Sequence, residues 1–307
     1  MTTNLIVGLV DGNGNLLTSQ PYDEYQYGRR STDILIPVRG RRLLSILQDD
    51  LGNIFYEDNR LVLKYILTLD LNISAMTLLG KIAEAVLVRR CAEDARVNKS
   101  LFQIARRRVA RARTLSKFKA IGTGLKQTQR DYPKRYSTSD PQRDIIWVDE
   151  EGVPALMDGG TYMSGIIAGL QIKVSLNGIN YVPRDLLNNR YEVPMIYFPL
   201  RNDYEQILSR LERDARTSIL DPVTGEYRRM RPEEDFVDIR AYDYDAYEEV
   251  KDYYPLVYAL LEGAIEPANL VDIAMQHRDP VLKDAVMLSA LQNSNLDQII
   301  VAQSAGL

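Results

Sequence analysis

An acid, an amide and an amine accompany two apolar segments in the middle of the chain. Asp144 directly precedes the run Ile145-Ile146-Trp147-Val148, and a second run, 166–174, contains Gln171 and Lys173. Side chains in a strand alternate between its two faces, so Gln171 and Lys173 share one face. A lysine in such an apolar strand is costly unless another group pairs with it. The pattern therefore predicts a polar site where two strands meet.

The order Asp144, strand, turn and Gln171-Ile172-Lys173 resembles the PD-(D/E)XK nuclease superfamily. In that family an aspartate and an Asp/Glu-x-Lys tripeptide lie on two adjacent strands, and a glutamate often lies on the helix before the first strand. Glu84, in the helix-like stretch 79–86, offers that glutamate. Gln171 departs from the usual acid, as in some restriction-type and transposon branches of the family. The resemblance covers residues 75–175 of the 307-residue chain.

The resemblance implies a restriction-endonuclease-like fold and hydrolysis of DNA phosphodiester bonds with Mg²⁺ or Mn²⁺. Asp144 would bind the metal ion, with Glu84 acting directly or through water, and the backbone carbonyl of Ile172 would complete the shell. Lys173 would orient or help deprotonate the attacking water, or stabilise the phosphate in the transition state. Gln171 offers only a neutral oxygen, so the site has one charge fewer than an Asp or Glu version and should bind metal more weakly.

Several of these assignments have alternatives. Asp158 is closer to Gln171 in sequence than Asp144 is, and so is a rival for the metal-binding aspartate. Its two neighbouring glycines predict a turn, whereas Asp144 precedes four strand-forming residues, which favours Asp144. Glu84 could instead be a solvated residue at the margin of its helix's apolar face. Lys173 could simply pair with an acid such as Asp144.

Scarce cysteine and histidine exclude several other classes of site. The single cysteine, Cys91, excludes an internal disulfide framework and a cysteine-based zinc site. The single histidine, His277, excludes an HExxH metal site and argues against a Ser-His-Asp triad. With no run of 18 apolar residues and no signal segment at the start, we expect a cytoplasmic protein without membrane contact.

Charge is unevenly distributed along a chain whose net charge is −4. Residues 98–136 contain twelve Lys or Arg and one acid, whereas residues 232–272 contain twelve Asp or Glu and two basic residues. A helix predicted over Leu101 to Lys119 would present its cations to DNA phosphates. The alternative is a solvated basic face, or one that docks the acidic C-terminal region. The candidate DNA-binding residues are Arg106, Arg107, Arg111, Arg113, Lys117 and Lys119.

The apolar pattern predicts an α/β fold, with a mixed central sheet flanked by helices and with β-containing N-terminal and helical C-terminal elaborations. We predict a nuclease-like core over 73–217, between an N-terminal region, 1–72, and an acidic, mainly helical region, 218–307. The predicted strands are a hairpin within 1–20, a strand over 33–38 and a strand over 193–199 with prolines at an edge or at its ends. The predicted helices span 41–50, 73–96 with Ser74 as N-cap, 183–190, 203–217, 247–262, 267–276 and 280–292.

These features together predict a metal-dependent DNA endonuclease, as in restriction or defence systems or mobile elements. DNA is the expected partner, with either a homodimer or a partner subunit serving to cut both strands. A non-catalytic assembly protein of a larger complex is the main alternative, favoured by the acidic total charge and the tyrosine-rich acidic segment 242–247. A nuclease-like fold that binds DNA without cutting it lies between the two.

Overall fold

The computed structural model describes residues 6–10, 16–21, 32–58, 60–107, 115–138, 140–158, 163–213 and 218–271. The chain divides into two compact units, one formed by 1–75 with 251–307 and the other by 76–250. Arg111, Arg113, His277 and the predicted helix over 280–292 lie outside the described residues.

The first unit begins with the predicted antiparallel hairpin of strands β1 (Ile6–Val10) and β2 (Leu16–Pro21).

The strand predicted over 33–38 is wrong, because this segment is helical. Buried residues recur at helical spacing from Leu35 to Leu47, and this longer pattern outweighs the β-like apolar run within 33–38. α-Helical turns α1 (Thr32–Leu35) and α2 (Arg41–Ser45) alternate with π-helical turns Ile36–Gly40 and Ile46–Asp50. A second hairpin follows, of β3 (Ile54–Glu57) and β4 (Arg60–Leu63).

Residues 251–271 pack on this helical segment within the same unit. Arg39 Nε donates to Asp252 Oδ2 at 2.9 Å. Gly40 lies so close to the backbone of Leu270 that a Cβ there would be 3.1 Å from the Leu270 carbonyl carbon. The helix predicted over 267–276 begins as the short 3₁₀ turn Pro267–Leu270, and residues 272–276 lie outside the described ranges. Both chain segments therefore build one core.

Two consecutive helices, α3 (Leu71–Glu93) and α4 (Ala95–Arg106), lead towards the central sheet. Asp70, not Ser74, caps α3, because its Oδ1 accepts from the N–H of Asn72 at 2.8 Å. Asp94 caps α4 by accepting from the N–H of Arg96 at 2.7 Å.

The predicted helix from Leu101 to Lys119 is wrong at its C-terminal end. Helix α4 stops at Arg106, and Arg107 takes the left-handed conformation with φ 55°. Strand β5 (Lys119–Gly122) occupies the end of the predicted helix.

Helix α3 is long and apolar enough to cross a membrane by length and composition alone, with a mean hydropathy of 1.5. However, 56% of that apolar window is buried within the protein, as in the core helix of a soluble protein. No other helix among the described residues passes this test. The structure is therefore compatible with a soluble protein.

Five of the described strands form the predicted mixed sheet. They are β5, β6 (Ile145–Val148), β9 (Gly169–Ser175), β10 (Met195–Pro199) and β13 (Phe236–Asp238). Their order across the sheet is β13-β10-β9-β6-β5. β5, β6 and β9 pair antiparallel, whereas β9, β10 and β13 pair parallel. β10 lies inside the sheet, so its prolines mark strand ends rather than an edge.

Both faces of the sheet are covered by apolar side chains. On one face, Trp147 of β6 packs against Phe102 of α4 with ring centroids 5.5 Å apart, and its Nε1 donates to Asn98 at 2.8 Å. On the opposite face of β6, Ile146 and Val148 form a buried cluster with Ile121 of β5. Helices therefore flank a sheet that is buried in its centre.

The remaining elements of the second unit are short, apart from the last helix, whose residues from 251 onwards belong to the first unit. Two-stranded sheets are formed by β7 (Leu156–Asp158) with β8 (Met163–Ile167), and by β11 (Ser218–Leu220) with β12 (Tyr227–Arg229). The helices are α5 (Lys126–Asp131), α6 (Val182–Leu187), α7 (Tyr204–Arg213), α8 (Pro232–Asp235) and α9 (Tyr244–Glu262). α6, α7 and α9 confirm the helices predicted over 183–190, 203–217 and 247–262.

An ion-pair network ties the end of α4 to the acidic region of the second unit. Arg107 donates to Asp221 at 3.2 Å and to Asp235 at 3.1 Å, and Arg228 donates to the same two carboxylates at 2.9 and 2.6 Å. The N–H of Arg231 also donates to Asp235 at 2.8 Å. The Asp235 side chain is only 3% exposed, so its charge depends on these donors.

Replacing this aspartate should destabilise the second unit. The Asp235→Asn variant leaves two largely buried guanidinium groups short of a counter-charge, and we expect the free energy of unfolding to fall by about 3 kcal/mol. Urea unfolding followed by Trp147 fluorescence measures this. The matched Asp131→Asn variant removes an exposed ion pair with Arg130 and should leave the unfolding midpoint nearly unchanged. Equal midpoints for the two variants would contradict a structural role for the network.

Candidate active site

Asp144 lies where strands β6 and β9 separate. Only Ile145 and Ile146 of β6 pair with β9, opposite Leu170 and Gly169. Beyond that point the Asp144 N–H donates to the carbonyl of Leu170 at 2.9 Å. Its side-chain Oδ2 accepts from the backbone N–H of Ile172 at 2.6 Å and from Gln171 Nε2 at 2.5 Å. The carboxylate therefore accepts the hydrogen bond that a neighbouring strand would otherwise accept from the Ile172 N–H of β9.

Glu84 is buried on helix α3 and is directed at the same end of the sheet. Its side chain belongs to a continuous buried stretch, 82–87, and the residue is 6% exposed. The alternative of a solvated helix residue is therefore wrong. The backbone N–H of Gly124 donates to Glu84 Oε1 at 3.1 Å. Thr123, next to this donor, is bonded through its N–H to the carbonyl of Asp144 at 2.8 Å.

Two glycines make room for the Glu84 carboxylate. A Cβ on Gly122, the last residue of β5, would lie 2.5 Å from Glu84 Oε1 and 2.6 Å from Leu125 Cγ. A Cβ on Gly124 would lie 3.6 Å from Glu84 Oε2, which is ordinary contact. Gly122 is therefore required by close approach, whereas Gly124 contributes its N–H.

Burial raises the pKa values of both carboxyl groups. Burial raises the pKa of Asp144 to about 6, although the Ile172 N–H and the charge of Lys173 oppose the shift. Burial, and then the negative charge of Asp144, raise the pKa of Glu84 to about 8. The Asp144 proton leaves first, and its charge then opposes ionisation of Glu84. Such a pair is electrostatically suited to a bound cation.

Gln171 contributes a buried oxygen that lacks a hydrogen-bond donor. The residue is 7% exposed, and its Nε2 is used by Asp144, whereas its Oε1 has no partner among the described residues. A buried acceptor without a donor is costly and calls for an explanation. A cation would satisfy this oxygen.

Lys173 is half-buried on the same face of β9. Its Nζ lies 5.0 Å from the centroid of the Tyr191 ring. Burial raises the pKa values of Asp144 and Tyr181, and the charge of Lys173 opposes both rises. No carboxylate of the described residues lies within 4.0 Å of this ammonium group. The alternative in which Lys173 simply pairs with an acid therefore finds no support in these contacts.

The structure brings together Glu84, Asp144, Gln171 and the neighbouring Lys173, but it places the rival aspartate elsewhere. Asp158 ends strand β7 in a separate two-stranded sheet, rather than lying in the turn predicted for it. The backbone of Ile172 is fixed at the site by its N–H bond to Asp144. Asp144 is thus the aspartate that meets the Gln-x-Lys tripeptide.

The four candidate DNA-binding cations that the structure describes do not form one face. Arg106 is 8% exposed, and its Nε donates to the carbonyl of Leu156 at 3.2 Å, while Arg107 is held by Asp221 and Asp235. The predicted outward position of Arg107 is therefore wrong, and the alternative of docking to an acidic region of the chain describes it. Lys117 and Lys119 are exposed, and Lys119 Nζ lies 4.7 Å from the Tyr132 ring centroid.

The groups that support this site are not evident from the sequence. Gly122 and Gly124 stand in the segment Gly122-Thr123-Gly124 and carry no chemistry of their own, so the sequence gives no sign of their contact with Glu84. Tyr191 is one of nineteen tyrosines and lies in a polar loop. Tyr191 lies two residues before the strand predicted over 193–199. That position is the one signal that could have placed it near Lys173.

The donor set fits a hard divalent cation. No group of three or more histidine, cysteine, aspartate or glutamate side chains in the described part of the chain is arranged to hold a metal ion. The available ligands are the two carboxylates of Glu84 and Asp144, together with the unpartnered amide oxygen of Gln171. Oxygen donors alone suit Mg²⁺ or Mn²⁺ rather than softer metals.

Comparisons with known proteins add no relative to this picture. No protein-family model, curated protein or solved structure matches the chain. The case for function therefore depends on the site itself.

The raised pKa of Glu84 makes stability dependent on pH in the absence of metal. Between its ordinary value of 4.5 and about 8, the folded protein retains a proton that the unfolded chain has lost. The free energy of unfolding should therefore fall as pH rises through this window, and more steeply in the wild type than in Glu84→Gln. Urea unfolding in EDTA at pH 6 and pH 8 measures the difference. The exposed Glu226→Gln control should keep the wild-type dependence, and an identical fall in Glu84→Gln would contradict the assignment.

Proposed function

We propose that this protein is a metal-dependent DNA endonuclease with a restriction-endonuclease-like fold. The observation that carries the proposal is the convergence of the buried Glu84 and Gln171 with the half-buried Asp144, and with the half-buried cation of Lys173 beside them. Residues from a helix and two strands meet there, although they are far apart in sequence.

The arrangement of elements supports the proposal. Asp144 directly precedes β6, the tripeptide Gln171-Ile172-Lys173 lies on β9, and these strands are neighbours in the sheet. Glu84 lies on the helix α3, which precedes β5 and β6 in the chain. This is the placement that the resemblance to the PD-(D/E)XK superfamily leads us to expect.

The residues of the site have distinct roles in this proposal. Glu84, Asp144, Gln171 Oε1 and the Ile172 carbonyl would hold Mg²⁺ or Mn²⁺, which supplies positive charge to stabilise the transition state. Lys173 orients the attacking water and stabilises negative charge that develops on the phosphate. In hydrolysis the water oxygen forms a bond to phosphorus, the bond to the leaving oxygen breaks, and that oxygen gains a proton.

The proposed DNA contact surface differs from the one that the basic segment alone predicts. Arg106 and Arg107 are engaged within the protein. The described candidates that remain for phosphate contact are Lys119, the exposed first residue of the edge strand β5, and the exposed Lys117 two residues before it. A cytoplasmic location, and a homodimer or partner subunit for cutting both strands, belong to the same proposal.

A DNA-binding protein with an inactive nuclease-like site is the second candidate. One observation favours it, because Gln171 stands where the related motif has an acid and leaves two carboxylates at the site. The weaker field would lower metal affinity. Catalysis and binding without catalysis are separated by the experiments below.

Replacing Lys173 should abolish cleavage without loss of the fold. We expect wild-type protein to nick plasmid or cleave single-stranded DNA with Mg²⁺ or Mn²⁺, and Lys173→Ala to be about 100-fold slower or worse, because charge stabilisation is lost. Lys134→Ala, at an exposed lysine, serves as the control and should retain the wild-type rate. Equal rates for the two variants would contradict the role of Lys173.

Restoring an acid at position 171 should strengthen metal binding. The Gln171→Glu variant adds a negative charge to the site, and we expect its Kd for Mn²⁺ to fall about tenfold in calorimetry. Asp144→Asn should weaken binding, whereas Asp158→Asn, at the rival aspartate, should not change it. A Kd that responds to Asp158 and not to Asp144 would move the site to the small sheet.

A further inference from the structure

We propose that Arg190, supported by Tyr191, forms a second phosphate-binding position beside Lys173 for the DNA strand bound at the site. The inference rests on the proposed function and specifies how the site recognises its substrate. It concerns residues that the nuclease motif does not include.

Tyr191 connects the two cations. Lys173 Nζ lies 5.0 Å from its ring centroid, and the guanidinium carbon of Arg190 lies 5.4 Å from the same centroid. Both distances are within the range of cation–π attraction. The ring therefore holds two positive charges close together at the margin of the site, where a polyanion would be attracted.

Arg190 is held in place while one edge of its guanidinium stays open. Both carboxylate oxygens of Asp185 accept from the same nitrogen, Nη1, at 3.0 and 3.2 Å. The Asp185 side chain is 6% exposed, whereas the Arg190 side chain is 58% exposed. Within the described ranges no hydrogen bond uses Nε or Nη2 of Arg190. This pair of donors is the fork that binds two oxygens of a phosphate group.

The loop that carries Arg190 is fixed to the segment that leads into Asp144. Gln142 Nε2 donates to the carbonyl of Arg190 at 3.3 Å, and Gln142 Oε1 accepts from the N–H of Glu192 at 2.9 Å. Arg143 pairs with the Glu192 carboxylate at 2.9 Å. Arg190 is thereby held in a defined position relative to the metal-binding carboxylate, as positioning of a substrate requires.

The chemistry of the subsite matches a phosphodiester of a nucleic acid strand. Asp144 and Glu84 would repel a polyanion, so positive charge is needed where the strand enters. Arg190 and Tyr191 also line a small depression of about 20 Å³, and the exposure of the Arg190 side chain leaves it accessible to a phosphate. A phosphate that neighbours the scissile one would contact Arg190 while the scissile phosphate is next to Lys173.

Binding of a short duplex of mixed sequence, followed by fluorescence anisotropy in EDTA over a range of salt concentrations, tests the subsite. In Arg190→Gln we expect the Kd for DNA to rise about tenfold. The slope of log K against log salt should become shallower by about 0.9, because one phosphate contact is lost. Arg231→Gln is the matched control, because its side chain is also 58% exposed and paired with an acid, Glu234. It should bind as the wild type does.

The Arg190→Lys variant keeps the fold-stabilising charge beside Asp185. It should retain the wild-type salt slope but bind DNA more weakly, because an ammonium group cannot bind two phosphate oxygens as a fork. Wild-type affinity in both Arg190 variants, or equal losses in Arg190→Gln and Arg231→Gln, would overturn the subsite.

Cleavage assays on the same proteins separate this inference from the proposed function. Metal-dependent cleavage that survives with unchanged DNA affinity in Arg190→Gln would overturn the subsite and leave the nuclease in place. Selective loss of DNA binding in Arg190→Gln, when no form of the protein cleaves with Mg²⁺ or Mn²⁺, would support the subsite and overturn the nuclease. A wild-type protein that binds no DNA would overturn the subsite.

Discussion

The site depends on the hydrogen bonds that Asp144 makes to β9 at the point where β6 no longer pairs with that strand. An unsatisfied N–H in a buried strand is costly, and the single oxygen Oδ2 serves both the Ile172 N–H and the Gln171 amide. One carboxylate therefore closes the sheet and defines the polar gap beside it. The carboxylate of Asp144 is both a structural acceptor and the proposed metal ligand. Substitution of Asp144 should therefore affect stability as well as metal binding.

Burial of two carboxyl groups in that gap is the second constraint. Each receives a backbone N–H, Asp144 from Ile172 and Glu84 from Gly124, but neither has an ion pair among the described residues. Burial and the charge of Asp144 therefore hold Glu84 in its protonated form up to a pKa of about 8, and a divalent cation would favour ionisation of both groups. Lys173 lies close enough to influence Asp144 without neutralising it by direct contact.

The sequence predicted the parts of the site whose chemistry is local, and failed where distant segments decide. Strand alternation placed Gln171 and Lys173 on one face correctly, and the apolar run after Asp144 identified β6. The length of α4 could not be predicted, because Arg107 leaves the helix to join Asp221 and Asp235, which lie far along the chain. The burial of Glu84 was likewise set by Gly122 and Gly124 from another segment.

The close approach of Gly122 to Glu84 couples the substitutions that the two positions can tolerate. A descendant that gains a side chain at position 122 must displace or lose the carboxylate at 84 and must also displace Leu125, since a Cβ would lie 2.5 Å from Glu84 Oε1 and 2.6 Å from Leu125 Cγ. Once the glutamate is lost, one of these two contacts no longer requires glycine at 122. Related sequences should therefore change at positions 84 and 122 together more often than independently.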